Sequence, residues 1–146
     1  MTKTLNILLV EDNPADALLT RVALQHGLVN STLHHVLDGV EAVDYLFRRG
    51  RHAGVARPDL VLLDLNLPRK SGREVLAEIK ADAGLRSIPV VILSTSQSAE
   101  DVGAAYELFA NCYVSKPLEF DHYQSVVAAV KGFWGGVARL PGGGPR

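Results

Sequence analysis

PDLVLLDLNLP, residues 58–68, sets four consecutive apolar side chains, Leu60 to Leu63, before Asp64 and closes on Asn66 and Pro68. A short continuous apolar run bounded by turn residues suits a strand buried on both faces, and such strands belong to parallel sheets covered by helices. The charge falls at the far end of the run, where no local requirement explains it. Three other runs behave alike: residues 6–10 lead into Glu11 and Asp12, residues 90–93 into Ser94, and residues 112–115 into Lys116. In an open parallel α/β sheet, ligands bind beyond the carboxyl ends of the strands, where strand order reverses. Glu11, Asp12, Asp64, Ser94 and Lys116 are therefore expected to converge on one site.

Helical patterns fill the intervals, giving repeated βα units. Asn13 followed by Pro14 reads as a cap with proline in the first turn, and Leu18, Leu19, Val22 and Ala23 share a face. Residues 31–37 form a weaker second strand containing His34 and His35, of which at most one can face inward. Asp38 caps a second helix with Val40, Val43, Leu46 and Phe47 in a stripe. Ser71 and Glu74 form a capping box for a third helix, whose core side carries Val75, Leu76 and Ile79. Ser98 and Asp101 open a fourth helix in the same way, carrying Val102, Ala105, Tyr106 and Phe109; the aromatics lie on or near its outer face or in the core, with a core role expected for Phe109. A fifth helix spans about residues 119–133, with Tyr123, Val126, Val127, Val130 and Phe133 on one face.

The chain has 146 residues, 47% hydrophobic and 21% charged, with 15 basic against 16 acidic side chains. That is the composition of a single globular domain with no polyanion-binding field, so no nucleic-acid partner is expected. The N-terminus resembles a first strand more than a secretion signal, and no run is long enough to span a bilayer, so a cytoplasmic protein without membrane contact is expected. A single Cys112 leaves no internal disulfide or CxxC pair and reads as a buried, inert thiol.

Taken together, ILLVEDNPAD, PDLVLLDLNLP followed by SG, PVVILSTS and YVSKP resemble the receiver domain of bacterial two-component response regulators, in order and over nearly the whole chain. The resemblance implies a flavodoxin-like receiver fold, α/β, with a five-stranded parallel sheet of order 2-1-3-4-5 flanked by five helices. It implies a receiver domain at 1–134, and the glycine-rich stretch 135–146 reads as a flexible C-terminal tail. It also implies that a partner histidine kinase phosphorylates an aspartate, placed by the motif at Asp64.

The residue types suit that chemistry. Phosphoryl transfer needs an in-line nucleophile and compensation of the charge on the moving oxygens, and a carboxylate can be the nucleophile. Glu11 and Asp12 beside Asp64 would only repel, by about 1 kcal/mol per pair at 4 Å in water and about 4 at an effective dielectric near 20, unless a divalent cation lies among them. Mg²⁺ accepts a few protein oxygens and keeps several waters. By resemblance, Asp12 and Asp64 bind it directly, Glu11 acts through water, and the carbonyl of Asn66 completes the protein set. Lys116 and Ser94 meet phosphoryl oxygens, and the Lys116-Pro117 bond is cis. Tyr113 is the aromatic that turns inward as Ser94 moves, and Asn66 and Ser96 flank the attacking water. The fourth helix, fifth strand and fifth helix read the change out to a downstream protein that the sequence does not identify.

Two features narrow the resemblance to stand-alone receivers paired with bacterial phytochrome histidine kinases: the basic insert at residues 48–57 and the lack of an output domain after the fifth helix. Phe133 and Trp134 at the end of that helix point to a homodimer contact. Other classes were weighed. A phosphate-independent interaction module would be expected to lose an acid or the lysine, and none is lost. A haloacid dehalogenase-type hydrolase wants an acid where Asn66 stands, and no phosphate-cradling GxxxxGK[ST] or GxGxxG follows a strand.

Overall fold

A computed structural model describes residues 4–27 and 29–141. Five strands, β1 (Leu5–Val10), β2 (Ser31–Val36), β3 (Leu60–Leu63), β4 (Val90–Ser94) and β5 (Cys112–Ser115), alternate with five helices, α1 (Pro14–Leu24), α2 (Gly39–Leu46), α3 (Gly72–Ala81), α4 (Ala99–Glu107) and α5 (Phe120–Gly132). All strand pairs are parallel, in the order β2-β1-β3-β4-β5. Strand order reverses at β1/β3, so the carboxyl ends of those strands face the topological switch point.

Strand alternation divides the core in two. Leu8, Val10, Val61, Leu63, Val90 and Ile92 face α2 and α3, meeting Val43, Leu46, Val75, Leu76 and Ile79. Ile7, Leu9, Leu60, Leu62, Val91 and Leu93 face α1 and α5, meeting Ala23, Leu24, Tyr123 and Val127. Each such side chain contributes roughly 1.5–3 kcal/mol on full burial, which holds the polar strand ends in register without help from the loops.

The expected caps form. Asn13, Asp38, Ser71 and Ser98 each accept from the backbone N–H three residues on, and Ser71–Glu74 completes a reciprocal capping box. Four expectations fail in detail. Of the fourth helix's four apolar residues only Ala105 is buried; Tyr106 is exposed, and Phe109, expected inward, is 72% exposed at a positive φ of 69° just beyond the helix. That left-handed residue ends α4 and turns the ring outwards while Ala110 takes the core position. The stretch from Gly135 does not begin as free chain, since a π-helical turn continues α5 over Phe133–Val137, and Trp134 and Leu140 pack on the α1/α5 side of the core. The remainder of the expected tail, 142–146, lies outside the described residues. Of the fifth helix's stripe, Tyr123 and Val127 are buried and Val130 packs against the core, whereas Val126 is only half-buried and Phe133 is exposed.

The Lys116-Pro117 bond is the fourth: no cis peptide bond occurs among the described residues, so it is trans. Trans is favoured by about 0.5–1 kcal/mol at X-Pro bonds. The Lys116 side chain reaches the site from the trans form, so its inward aim does not depend on the isomer.

Candidate functional site

Three of the five strands deliver a buried charged group to the same edge. Glu11 follows β1 and is 2% exposed, Asp64 follows β3 at 8%, and Lys116 follows β5 at 6%. Nζ of Lys116 donates to Oε1 of Glu11 at 2.6 Å, to Oδ2 of Asp16 at 3.0 Å and to Oδ2 of Asp64 at 3.1 Å. The second oxygens are also held: Oε2 of Glu11 accepts from the N–H of Asn13, and Oδ1 of Asp64 from the N–H of Asn66. Asp12 stands at the mouth, exposed, and one carboxylate oxygen each from Glu11, Asp12 and Asp64 lie within 4.8 Å of one another.

Three carboxylates therefore share one ammonium, and the charges do not balance. Burial pushes Glu11 up to about 7, with the Asp64 carboxylate adding to the rise, although the hydrogen bond from Lys116 opposes it. Burial alone would lower the Lys116 ammonium; the hydrogen bond and charge of Glu11, then Asp64 and Asp16, outweigh it and raise the group. Lys116 is thus a fixed cation, and Glu11 is the member of the cluster that carries the surplus negative charge least well. Three hard oxygen donors with an excess of negative charge suit a divalent ion of the Mg²⁺ or Mn²⁺ type.

Ser94, fully buried at the end of β4, does not touch Asp64. Its Oγ accepts from the N–H of Ser96 at 3.2 Å, and it lines a cleft of about 180 Å³ with Leu65, Asn66, Ser71, Arg73 and Asp101. Asn66 is exposed on the rim. Tyr113 is half-buried, its hydroxyl donates to the Ser96 carbonyl at 2.9 Å, and its own N–H is held by the Tyr106 hydroxyl. Ser96 thus ties the Ser94 hydroxyl to the Tyr113 ring.

The close approach of α3 fixes the geometry. A Cβ on Gly72 would stand 2.2 Å from the Asp64 carbonyl oxygen and 2.6 Å from the Leu65 Cα, so only glycine lets α3 start against the end of β3. Gly39 does the same for α2 against the Lys70 carbonyl.

Sequence reasoning missed two residues. Asp16 lies in the first turn of α1, where an acid is already explained by the helix dipole, so its bond to Lys116 leaves no separate signal. Arg73 reads as a solvated helix residue, yet it lines the Ser94 cleft and pairs with Asp101. Of the two strand histidines, His35 bonds the Glu11 carbonyl through Nε2 at 2.7 Å and His34 lies against the Tyr45 ring. Cys112 packs beside the core, and burial raises its thiol.

A family model described as response regulator receiver domain matches residues 7–128. Response regulator Rcp1 of Synechocystis is 44% identical over 135 residues, 92% of each chain, and its Mn²⁺-bound crystal structure superposes with a TM-score of 0.89 over 94% of this chain and 99% of that one. The phosphorylated cyanobacterial phytochrome response regulator RcpA has a TM-score of 0.92 at 46% identity, covering 96% of this chain and 100% of that one. A probable methanogenesis regulatory protein, FilR2 of Methanothrix harundinacea, is 43% identical over 93% of this chain and 87% of its own.

Proposed function

This chain belongs to the response regulator receiver domain family, and from that premise we propose that Asp64 accepts a phosphoryl group from the phosphohistidine of a partner histidine kinase. The observation that carries the reading is the Lys116 ammonium bonded at once to Glu11, Asp16 and Asp64 at the switch point of the sheet. A carboxylate oxygen of Asp64 attacks phosphorus, a P–O bond forms, the P–N bond to the kinase imidazole breaks, and the imidazole keeps the electron pair. The Lys116 ammonium, bonded to Oδ2 of Asp64, orients that carboxylate as the nucleophile, and the near-complete burial of its neighbours excludes bulk water from one side. Lys116 is placed to meet a phosphoryl oxygen as a point charge. The buried Ser94 hydroxyl accepts from the Ser96 N–H and keeps its own proton to donate to another oxygen.

Glu11, Asp12 and Asp64, with the Asn66 carbonyl, are the groups that would hold Mg²⁺. When bound, the ion neutralises charge on the transferring phosphoryl group and its attacking carboxylate.

Phosphorylation signals only if it favours one conformation over another. We assign that role to the Ser94–Ser96–Tyr113 chain of hydrogen bonds, with the face of α4, β5 and α5 as output surface for a downstream protein. Tyr106 and Phe109 stand exposed on that face, and the exposed Phe133 beside Trp134 offers a homodimer contact. The phytochrome relatives support a bacterial phytochrome as the kinase, whereas FilR2 at nearly equal identity supports only the receiver itself. No helix among the described residues is long and apolar enough to cross a membrane, which suits a cytoplasmic setting.

The test is intact-protein mass after incubation with acetyl phosphate, with Mg²⁺ or with chelator, for wild type and Asp64→Asn. One phosphoryl adduct that needs Mg²⁺ and is absent from the variant supports the proposal. No adduct in wild type with Mg²⁺ leaves a phosphate-independent interaction module.

A further inference from the structure

We propose that Arg73 and Asp101 form a latch between α3 and α4 which the phosphoryl group opens by taking Arg73 from Asp101. This rests on the phosphoacceptor reading of Asp64 and concerns two residues outside the Glu11–Asp12–Asp64–Lys116 cluster.

Position comes first. Gly72 brings the N-terminus of α3 into contact with the backbone of Asp64 and Leu65, and the Gly72 N–H bonds the Leu65 carbonyl at 2.9 Å. Arg73 follows directly, lining the cleft between Asn66 and Ser94 into which a phosphoryl group on Asp64 would extend. Its Nη2 pairs with Oδ1 of Asp101 across that cleft. This contact is a direct side-chain tie between the first turns of α3 and α4.

Asp101 is also the hub of the switch chain. Its Oδ2 accepts from the Ser96 hydroxyl at 2.5 Å, and its N–H donates to Ser98, the cap of α4. Ser96 in turn donates its N–H to Ser94 and accepts from Tyr113. Ser96 therefore links the Ser94 hydroxyl and the Tyr113 ring to the Asp101 carboxylate at the start of α4, and the other partner of that carboxylate is Arg73.

The electrostatics give direction. A phosphoryl dianion on Asp64 would enter a cleft already lined by the Asp101 carboxylate. A guanidinium presents several donors in a planar fork that suits phosphate as well as carboxylate. The dianion carries more charge than Asp101, so Arg73 turns to it. Asp101, left facing a like charge, moves away with the cap of α4. The group that Lys116 binds on one side is then gripped by Arg73 on the other, and α4 is released in the same event.

The experiment is a beryllofluoride titration in saturating Mg²⁺ of wild type, Asp101→Asn, Arg73→Gln and the double variant, followed by nuclear magnetic resonance including the Arg73 guanidinium signal. The latch predicts that Asp101→Asn tightens beryllofluoride by about threefold to tenfold, the range that a half-exposed charge pair commands. Arg73→Gln weakens it by a similar factor, and in the Arg73→Gln background Asp101→Asn tightens it clearly less than in wild type. The Arg73 signal moves on titration in wild type, and Mg²⁺ affinity without beryllofluoride is unchanged in Asp101→Asn. Tightening that is just as large without Arg73 would reduce Asp101 to simple repulsion and overturn the latch. So would an unchanged or weakened Asp101→Asn, or a guanidinium signal that stays put. If wild type takes no beryllofluoride with Mg²⁺, the phosphoacceptor reading fails and the latch with it; if wild type binds and the variants do not shift, only the latch fails.

Discussion

Replacing Lys116 with methionine removes the one ammonium from the acid cluster while keeping a side chain of similar length. Glu11 and Asp64 are 2% and 8% exposed, so neither can recover its hydration without moving. Removing one partner of a buried ion pair typically costs about 3–5 kcal/mol, because the other charge is left uncompensated. Asp16, about one-third exposed at its side chain, can turn to solvent, which puts the expected loss near the low end, about 3 kcal/mol at pH 8 in chelator. Glu11 already keeps its proton up to about 7 with Lys116 present. Without Lys116 it keeps it higher still, so lowering the pH neutralises the surplus charge and the loss shrinks by roughly 1 kcal/mol at pH 6. The melting temperature should fall by about 6–12 °C at pH 8, given about 2–4 °C per kcal/mol for a domain of this size. Mg²⁺ should then stabilise the variant more than wild type, since the cation no longer competes with the ammonium. Urea unfolding of both proteins at the two pH values, in chelator and in Mg²⁺, measures every quantity. A variant within about 1 kcal/mol of wild type at pH 8 in chelator, or one that gains no more from Mg²⁺, would refute the reasoning.

The raised Glu11 carboxyl also sets a pH profile. Its proton competes with the cation, so apparent Mg²⁺ affinity should climb with pH up to about 7 and level off above, by up to about tenfold per unit while one proton is displaced. The same shift makes the metal-free fold bind more protons than the unfolded chain between about 4.5 and 7, so its stability should fall as pH rises through that window. Calorimetric Mg²⁺ titration across that range and unfolding in chelator check both; a flat affinity profile would remove Glu11 from the ligand set. Gly72→Ala would force a Cβ against the Asp64 carbonyl and should cost about 3 kcal/mol, with slower acetyl phosphate labelling because the end of β3 must shift. Unfolding and labelling both within error of wild type would show that α3 is free to move away. For the proposed homodimer, sedimentation at micromolar concentration should show a dimer, weakened by Phe133→Ser; a monomer with and without beryllofluoride would rule it out.

The alternation of apolar runs with capped helices dictated the strand ends, and with them Glu11, Asp12, Asp64, Ser94 and Lys116. Local chemistry suffices there, because a buried parallel strand must be apolar and a polar group at its tip needs a reason. Caps at Asn13, Asp38, Ser71 and Ser98 were legible for the same reason: each satisfies an N–H three residues away in its own chain segment. Long-range partners were not legible. Asp16 reaches Lys116 across 100 residues and Arg73 reaches Asp101 across 28, and each looks like a routine helix residue until the helices are placed. The outward ring of Phe109 hangs on a single left-handed residue that an apolar stripe does not reveal. The helical turn past α5 lies against Val29 at Gly135 and Gly136 and packs Trp134 on the core, which composition alone would not suggest. Sequence by itself determined the strands and which polar residues stand at their ends, and the resemblance of its motifs to receivers implied the strand order. Only tertiary structure decided which charges share Lys116, which side of the cleft holds Arg73, and that Ser94 reaches Tyr113 through Ser96, because those contacts join segments whose separation along the chain carries no local signal.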